Sequence, residues 1–188
     1  MRTISNYVIV DGELCHYGVK GMKWGQRKAQ RYEARTARKF ARAGNRQGIA
    51  NYYRDKGNEI AKKHNRTAEV FDKQAKKSEA KGEYFKAEAS RRAAEAIRAR
   101  GANQKASNDS LAAYYENRAS RITEKASAYA TKKRVNLGKK KIDSILSESR
   151  AKGYKNAKLS DEASREWELQ EKLGDDGYAA YNKIRGRE

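Results

Sequence analysis

Apolar positions are sparse along this chain, and their spacing changes character twice. Tyr7-Val8-Ile9-Val10 and Glu13-Leu14-Cys15-His16-Tyr17 are short β-prone runs on either side of Asp11-Gly12. Asp-Gly supplies the positive φ that a type I′ turn needs, so the pattern predicts an N-terminal β-hairpin. From Gln26 to about Ala43 the apolar residues Ala29, Tyr32, Ala37, Phe40 and Ala41 fall at helical spacing. That is a helix with one narrow apolar stripe. Gly44-Asn45 reads as its C-cap and Gly48 as a second break.

The next stretch repeats itself. Ile49-Ala50-Asn51-Tyr52-Tyr53, with Ile60 beyond, aligns with Leu111-Ala112-Ala113-Tyr114-Tyr115 and Ile122 at an offset of 62. Between them, Tyr84-Phe85 aligns with Tyr114-Tyr115 at an offset of 30. A unit of about 31 residues therefore occurs three times, each with an aromatic pair. The middle copy carries Lys81 and Arg92 where the others carry Ile or Leu. Two architectures fit. One is an array of helical hairpins broken near Gly82, Gly101 and Gly138. The other is longer helices joined along a small-residue seam, since His64, Ala68, Phe71, Ala75, Ser78, Gly82, Phe85 and Ala89 keep a 4-3 spacing. Tyr53 and Tyr115 share a face with Ile60 and Ile122 and are expected in the core, whereas Tyr52 and Tyr114 lie at its edge.

Ser107-Asn108-Asp109 suits the N-cap of a helix continuing to about Val135. Ser160, followed by Asp161 and Glu162, reads as another helix start, and Gly174 as its end. A short helix from Tyr178 to Ile184 is expected to close the chain. Trp167 is expected to cluster with Tyr178 and Tyr181. The predicted fold class is mainly α: an N-terminal β-hairpin followed by long basic helices with an approximately 31-residue helical repeat. The expected divisions are 1–25, 26–141 and 142–188.

Composition sharpens this. The 188 residues contain no proline, where average usage predicts about nine, and long helices avoid proline. Only 37% are hydrophobic, so a large globular core is not expected, and assembly, including a homo-oligomer, would supply missing burial. The net charge is +20, and it is placed unevenly. Residues 26–141 hold 32 bases and 12 acids, whereas residues 142–188 hold nine bases and ten acids. A field of that size favours a polyanion. The candidate contacts are Arg27, Lys28, Arg31, Arg35, Arg38, Lys39 and Arg42 on the first helix, with Lys132, Lys133, Arg134, Lys139, Lys140 and Lys141 around Gly138. Capping of a helix C-terminus by cations is an equally good account of the second group.

The bases match no helix-turn-helix, zinc-finger or sheet module, so phosphate contact without sequence specificity is the expected mode. Edge tyrosines could stack exposed bases. The single cysteine, Cys15, rules out an internal disulfide. No membrane span or signal peptide is expected, because the apolar run near the start is too short. His64 has no Ser, Cys or Asp at a spacing that would make it a base, and no phosphate loop, metal motif or cofactor fingerprint occurs. The sequence predicts neither an enzyme nor a cofactor.

One stretch has a different texture. His16-Tyr17-Gly18-Val19-Lys20-Gly21-Met22-Lys23-Trp24-Gly25 packs three glycines into eight residues, and each costs about 1 kcal/mol against alanine in a helix. It reads as a turn-rich peptide presenting Met22 and Trp24 between lysines. A tight turn with Trp24 tucked onto the chain's own helices is the alternative reading. The stretch resembles the short HxGVKGMKWG signature of tailed-bacteriophage virion-associated proteins. The resemblance implies phage origin and a virion link, with the docking contacts falling on His16, Val19, Lys20, Met22, Lys23 and Trp24. It implies no reaction. The expected role is a packaged or structural phage protein docked to a phage structural partner, in the host cytoplasm during infection and then in the virion. Two other roles share the composition: a small phage inhibitor of a host defence complex that blocks its nucleic-acid-binding or acidic surface, and a scaffolding protein removed during maturation.

Overall fold

The structure is a computed structural model that describes the backbone of residues 3–4, 7–10 and 13–16 and the chain from 24 to 185. Three short strands come first: β1 (Thr3–Ile4), β2 (Tyr7–Val10) and β3 (Glu13–His16). They form an antiparallel sheet in the order β1-β2-β3, with Tyr7 opposite His16 and Val10 opposite Glu13. The Asp11-Gly12 turn expected to close a hairpin lies outside the described residues. Helices α1 (Trp24–Ala80), α2 (Tyr84–Lys132) and α3 (Lys139–Ile184) make up the rest.

The expected fold class needs correction. Helix α1 runs unbroken for 57 residues and α2 for 49, through the breaks expected at Gly44, Gly48 and Gly101 and the start expected at Ser107. Helix α3 passes through Ser160 as well. The 31-residue unit is therefore not a structural repeat. α1 and α2 fold back antiparallel at Gly82, so the separation of facing residues shrinks from 62 at Arg54–Glu116 to 26 at Asp72–Arg98 and 12 at Glu79–Arg91, and no constant offset relates the two helices. Tyr53 stacks on Tyr115 with ring centroids 5.9 Å apart, and Arg54 reaches Glu116 at 2.5 Å.

Small residues decide how these two helices pack. Thr36, Ala43, Ala50 and Gly57 are buried at seven-residue intervals on α1, and Ala68 and Ala75 continue the series. On α2 the buried positions are Ala87, Ala94 and Gly101, then Ala112, Ala119 and Ala126. A seven-residue period keeps one face of each helix on its partner. Both helices take one step of eleven residues, Gly57 to Ala68 and Gly101 to Ala112, a four-residue insertion that locally unwinds the pairing. There the larger side chains are seated over glycine: a Cβ on Gly101 would meet the His64 Cβ at 2.6 Å, and one on Gly57 would meet the Asn108 Cβ at 3.2 Å. The expected seam through Gly82, Phe85 and Ala89 stops at the turn, where Phe85 is 92% exposed.

Both turns close by the same hydrogen-bond pattern. Gly82 N–H donates to Glu79 O and Glu83 N–H to Ser78 O, with Gly82 at φ +74°. After α2, Arg134 N–H donates to Thr131 O and Val135 N–H to Ala130 O, and Arg134 takes φ 52°. A non-glycine residue pays about 1 kcal/mol or more for that left-handed geometry. Arg134→Gly is therefore expected to stabilise the protein by about 1 kcal/mol in urea unfolding; unchanged or lower stability would mean that the Arg134 side chain contributes as much as the strain costs.

The main apolar cluster lies at the α2–α3 turn, where Phe40, Ala126 and Leu137 are joined by Val135, Ile142, Ile145 and Leu146. From there α3 runs alongside the first half of α1 in the same direction, with their backbones almost touching. A Cβ on Gly48 would fall 2.0 Å from Arg150 O, one on Gly153 2.2 Å from Asn45 O, and one on Gly44 2.7 Å from Leu146 O. The glycines expected to end a helix are instead where two helices meet. Gly174 (φ 68°, ψ 174°) divides α3 into two helical segments. Beyond it Tyr178 and Tyr181 stack at 6.4 Å, while Trp167, expected in that cluster, is 65% exposed.

Candidate nucleic-acid interface

Because α2 and α3 lie against different sides of α1, a trough remains between them. It encloses about 830 Å³. Its cations come from all three helices: Lys39, Arg42 and Arg46 on α1, Arg118 and Lys125 on α2, and Lys152 on α3. Asn45, Ser149, Ala41 and Ile122 complete the lining, and no acid is among them. Among the described residues none of the six cations is ion-paired with a carboxylate. Like charges held together without counter-charges raise the potential inside a cleft.

Aromatic rings hold several of these cations in place. Arg118 lies 5.7 Å from the Tyr114 ring centroid and its Nη1 donates to the Tyr114 hydroxyl at 2.9 Å. Arg46 lies 5.8 Å above Tyr115, and Lys39 5.2 Å above Tyr129. Nearer the α2–α3 turn, Lys133 sits 5.2 Å over Tyr32, whose ring meets Tyr129 edge-on at 6.3 Å. Such contacts orient a cation and leave its charge available.

The residues expected from sequence divide among three places. Lys39 and Arg42 line the trough. Arg31, Arg35 and Arg38 are exposed on α1 and lead towards Arg42 as a ridge, with Lys28 also exposed and Arg27 half-buried. Lys132, Arg134, Lys139, Lys140 and Lys141 are exposed around the α2–α3 turn, and none of them lines the trough. Arg46, Arg118, Lys125 and Lys152 were not among the expected contacts. Arg46 extends the four-residue spacing of Arg38 and Arg42, and Arg118 and Lys125 are seven apart on α2, so both were legible as faces. Lys152 lies in the neutral C-terminal part and carried no signal. Of the docking residues, His16 ends β3 and Trp24 opens α1; Val19, Lys20, Met22 and Lys23 lie outside the described residues.

Beyond the trough a polar clasp joins α1 and α3. Tyr52 is buried, its ring 5.6 Å from Tyr154, and its hydroxyl donates to Asp161 at 2.7 Å. This corrects the expectation that Tyr52 sits at an exposed edge; Tyr114, by contrast, is 52% exposed. Lys56 and Arg165 also bind Asp161. Burial pushes the Asp161 carboxyl up, but hydrogen bonds from Lys56 and Tyr52 and the charges of Lys56 and Arg165 outweigh it and hold it below the ordinary 3.8. Burial, reinforced by Asp161, pushes the Tyr52 phenol well above its ordinary value. A carboxyl depressed in the folded state stabilises fully above its unfolded pKa and loses that contribution as pH falls through the folded value. Asp161→Asn is expected to cost about 2 kcal/mol at pH 7, and the gap from the unaltered protein should narrow in urea titrations below about pH 4. A pH-independent gap would show that Asp161 acts through shape, not charge.

A family profile described as "Family of unknown function (DUF7211)" matches residues 7–31. That span holds β2, β3, the glycine-rich stretch and the first turns of α1. No curated protein and no solved structure matches the chain. Among the described residues no helix is long and apolar enough to cross a membrane, and no group of three or more His, Cys, Asp or Glu could hold a metal ion.

Proposed function

We propose that this chain is a phage virion-associated helical protein that contacts nucleic acid, or an acidic capsid surface, without sequence specificity, and that its N-terminal signature docks it to a structural partner. The observation that carries the reading is the trough, whose six cations have no acid in the lining and no ion-pair partner among the described residues, continued along α1 by the Arg31, Arg35 and Arg38 ridge. Phosphate backbones offer regularly spaced charge to such a surface, and no base-reading module accompanies it. The resemblance of residues 16–25 to the phage signature supports the virion as destination. An inhibitor of a host defence complex uses the same surface against an acidic protein partner and is the second reading.

Full-length protein is expected to bind unrelated duplex sequences with similar affinity at physiological ionic strength. Binding confined to acidic proteins would favour the inhibitor. Trp24→Ala is expected to abolish incorporation into particles, or capture of the structural partner, while helical circular dichroism stays nearly unchanged, because aromatic anchors dominate small docking motifs. Loss of helicity in that variant would make Trp24 a core residue and remove the docking role.

A further inference from the structure

We infer that the trough between α2 and α3 is a single-strand site, separate from the α1 ridge that faces duplex; this rests on the nucleic-acid reading above. Four observations carry it. The cations of the trough lie in a concavity walled by helices on two sides, where a flexible strand can sink between α2 and α3. Its lining is also partly apolar, with Ile122 and Ala41 between the charges, and a sugar or base edge uses such a surface where a bare phosphate does not. At the rim, Tyr114 is half exposed beside Arg118, which enters the trough and stays fixed to the Tyr114 hydroxyl. A positively charged groove with an aromatic platform beside it is the arrangement that holds single strands of any sequence. By contrast, Arg31, Arg35 and Arg38 are exposed along one long helix and lie outside the trough lining, so they suit a duplex approached from outside.

The reading of the trough as a strand groove fixes roles. Arg46, Lys125 and Lys152 meet successive phosphates, Ile122 supports a sugar, and Tyr114 stacks a base. DNA and RNA present the same phosphodiester, and oligo-dT and oligo-U separate them.

Two full-length variants of equal charge test this. Arg118→Glu/Lys125→Glu/Lys152→Glu alters exposed trough positions on α2 and α3, and Arg31→Glu/Arg35→Glu/Arg38→Glu alters only the ridge. Both keep the fold if circular dichroism and urea midpoints match the unaltered protein. The trough variant is expected to lose about 100-fold or more in affinity for oligo-dT or oligo-U while keeping most duplex affinity. The ridge variant is expected to show the reverse. Tyr114→Ala should weaken oligonucleotide binding about tenfold and leave inorganic polyphosphate binding unchanged. Equal losses in the two variants, or polyphosphate bound as tightly as an oligonucleotide of equal charge, would overturn the single-strand site while leaving general polyanion binding intact. Absence of binding to every nucleic acid would overturn both.

Discussion

Gly48→Ala is expected to destabilise the protein by about 3 kcal/mol or more and to release α3 from α1. Two effects oppose each other at this position. Replacing a mid-helix glycine with alanine normally gains about 1 kcal/mol from propensity. Here the new methyl would fall 2.0 Å from Arg150 O and 2.8 Å from Tyr154 N, both backbone atoms. Overpacking a core typically costs 1–3 kcal/mol even where side chains can move aside, and a helix backbone cannot, so the packing cost prevails. Amide exchange should quicken across residues 142–161, while the distal α1–α2 hairpin around Ala68, Ala75, Ala87 and Ala94 keeps its protection. With α3 displaced, Lys152 leaves the trough and single-strand affinity falls with it. A stabilised variant would show that α3 does not pack on α1 through its glycines.

Reversing Arg31, Arg35, Arg38 and Arg42 to glutamate is expected to weaken binding to all duplex sequences alike. All four side chains are exposed, and Arg42 also lines the trough. Each phosphate contact contributes roughly 0.9 to the slope of log K against log salt. Four lost contacts therefore remove about 3.6 from the slope, or about two decades of sensitivity between 50 and 200 mM salt. Equilibrium titrations on two unrelated duplexes check both points. A loss confined to one sequence would mean base readout, and an unchanged slope would mean that duplex lies elsewhere on the molecule.

Why some of this was legible in the sequence, and some not, follows from what glycine means in different settings. The helical character of the body was readable because proline is absent and small residues recur. Gly82 and Gly138 were readable as breaks, and both take positive φ. Gly44, Gly48 and Gly101 look identical in sequence, yet they sit inside helices because a neighbouring element presses against each. Local pattern cannot distinguish a glycine that ends a helix from one that admits a second helix. The aromatic pairs misled because they recur in the same chain direction, whereas the antiparallel hairpin brings Tyr53 and Tyr115 together with their flanking residues in opposite order. The trough was the least legible feature. Its α1 cations were visible as a face, but Arg118, Lys125 and Lys152 join them only because α2 and α3 fold onto one helix.

The central proposal is that phosphate backbones, met without base readout, are what the cationic surface recognises. Salt dependence of duplex binding by the unaltered full-length protein tests it most directly. Six to ten phosphate contacts predict a slope of log K against log salt between about −5 and −9, and a loss of about three to five decades between 50 and 200 mM. A slope near zero, or no binding at physiological ionic strength, would contradict the account.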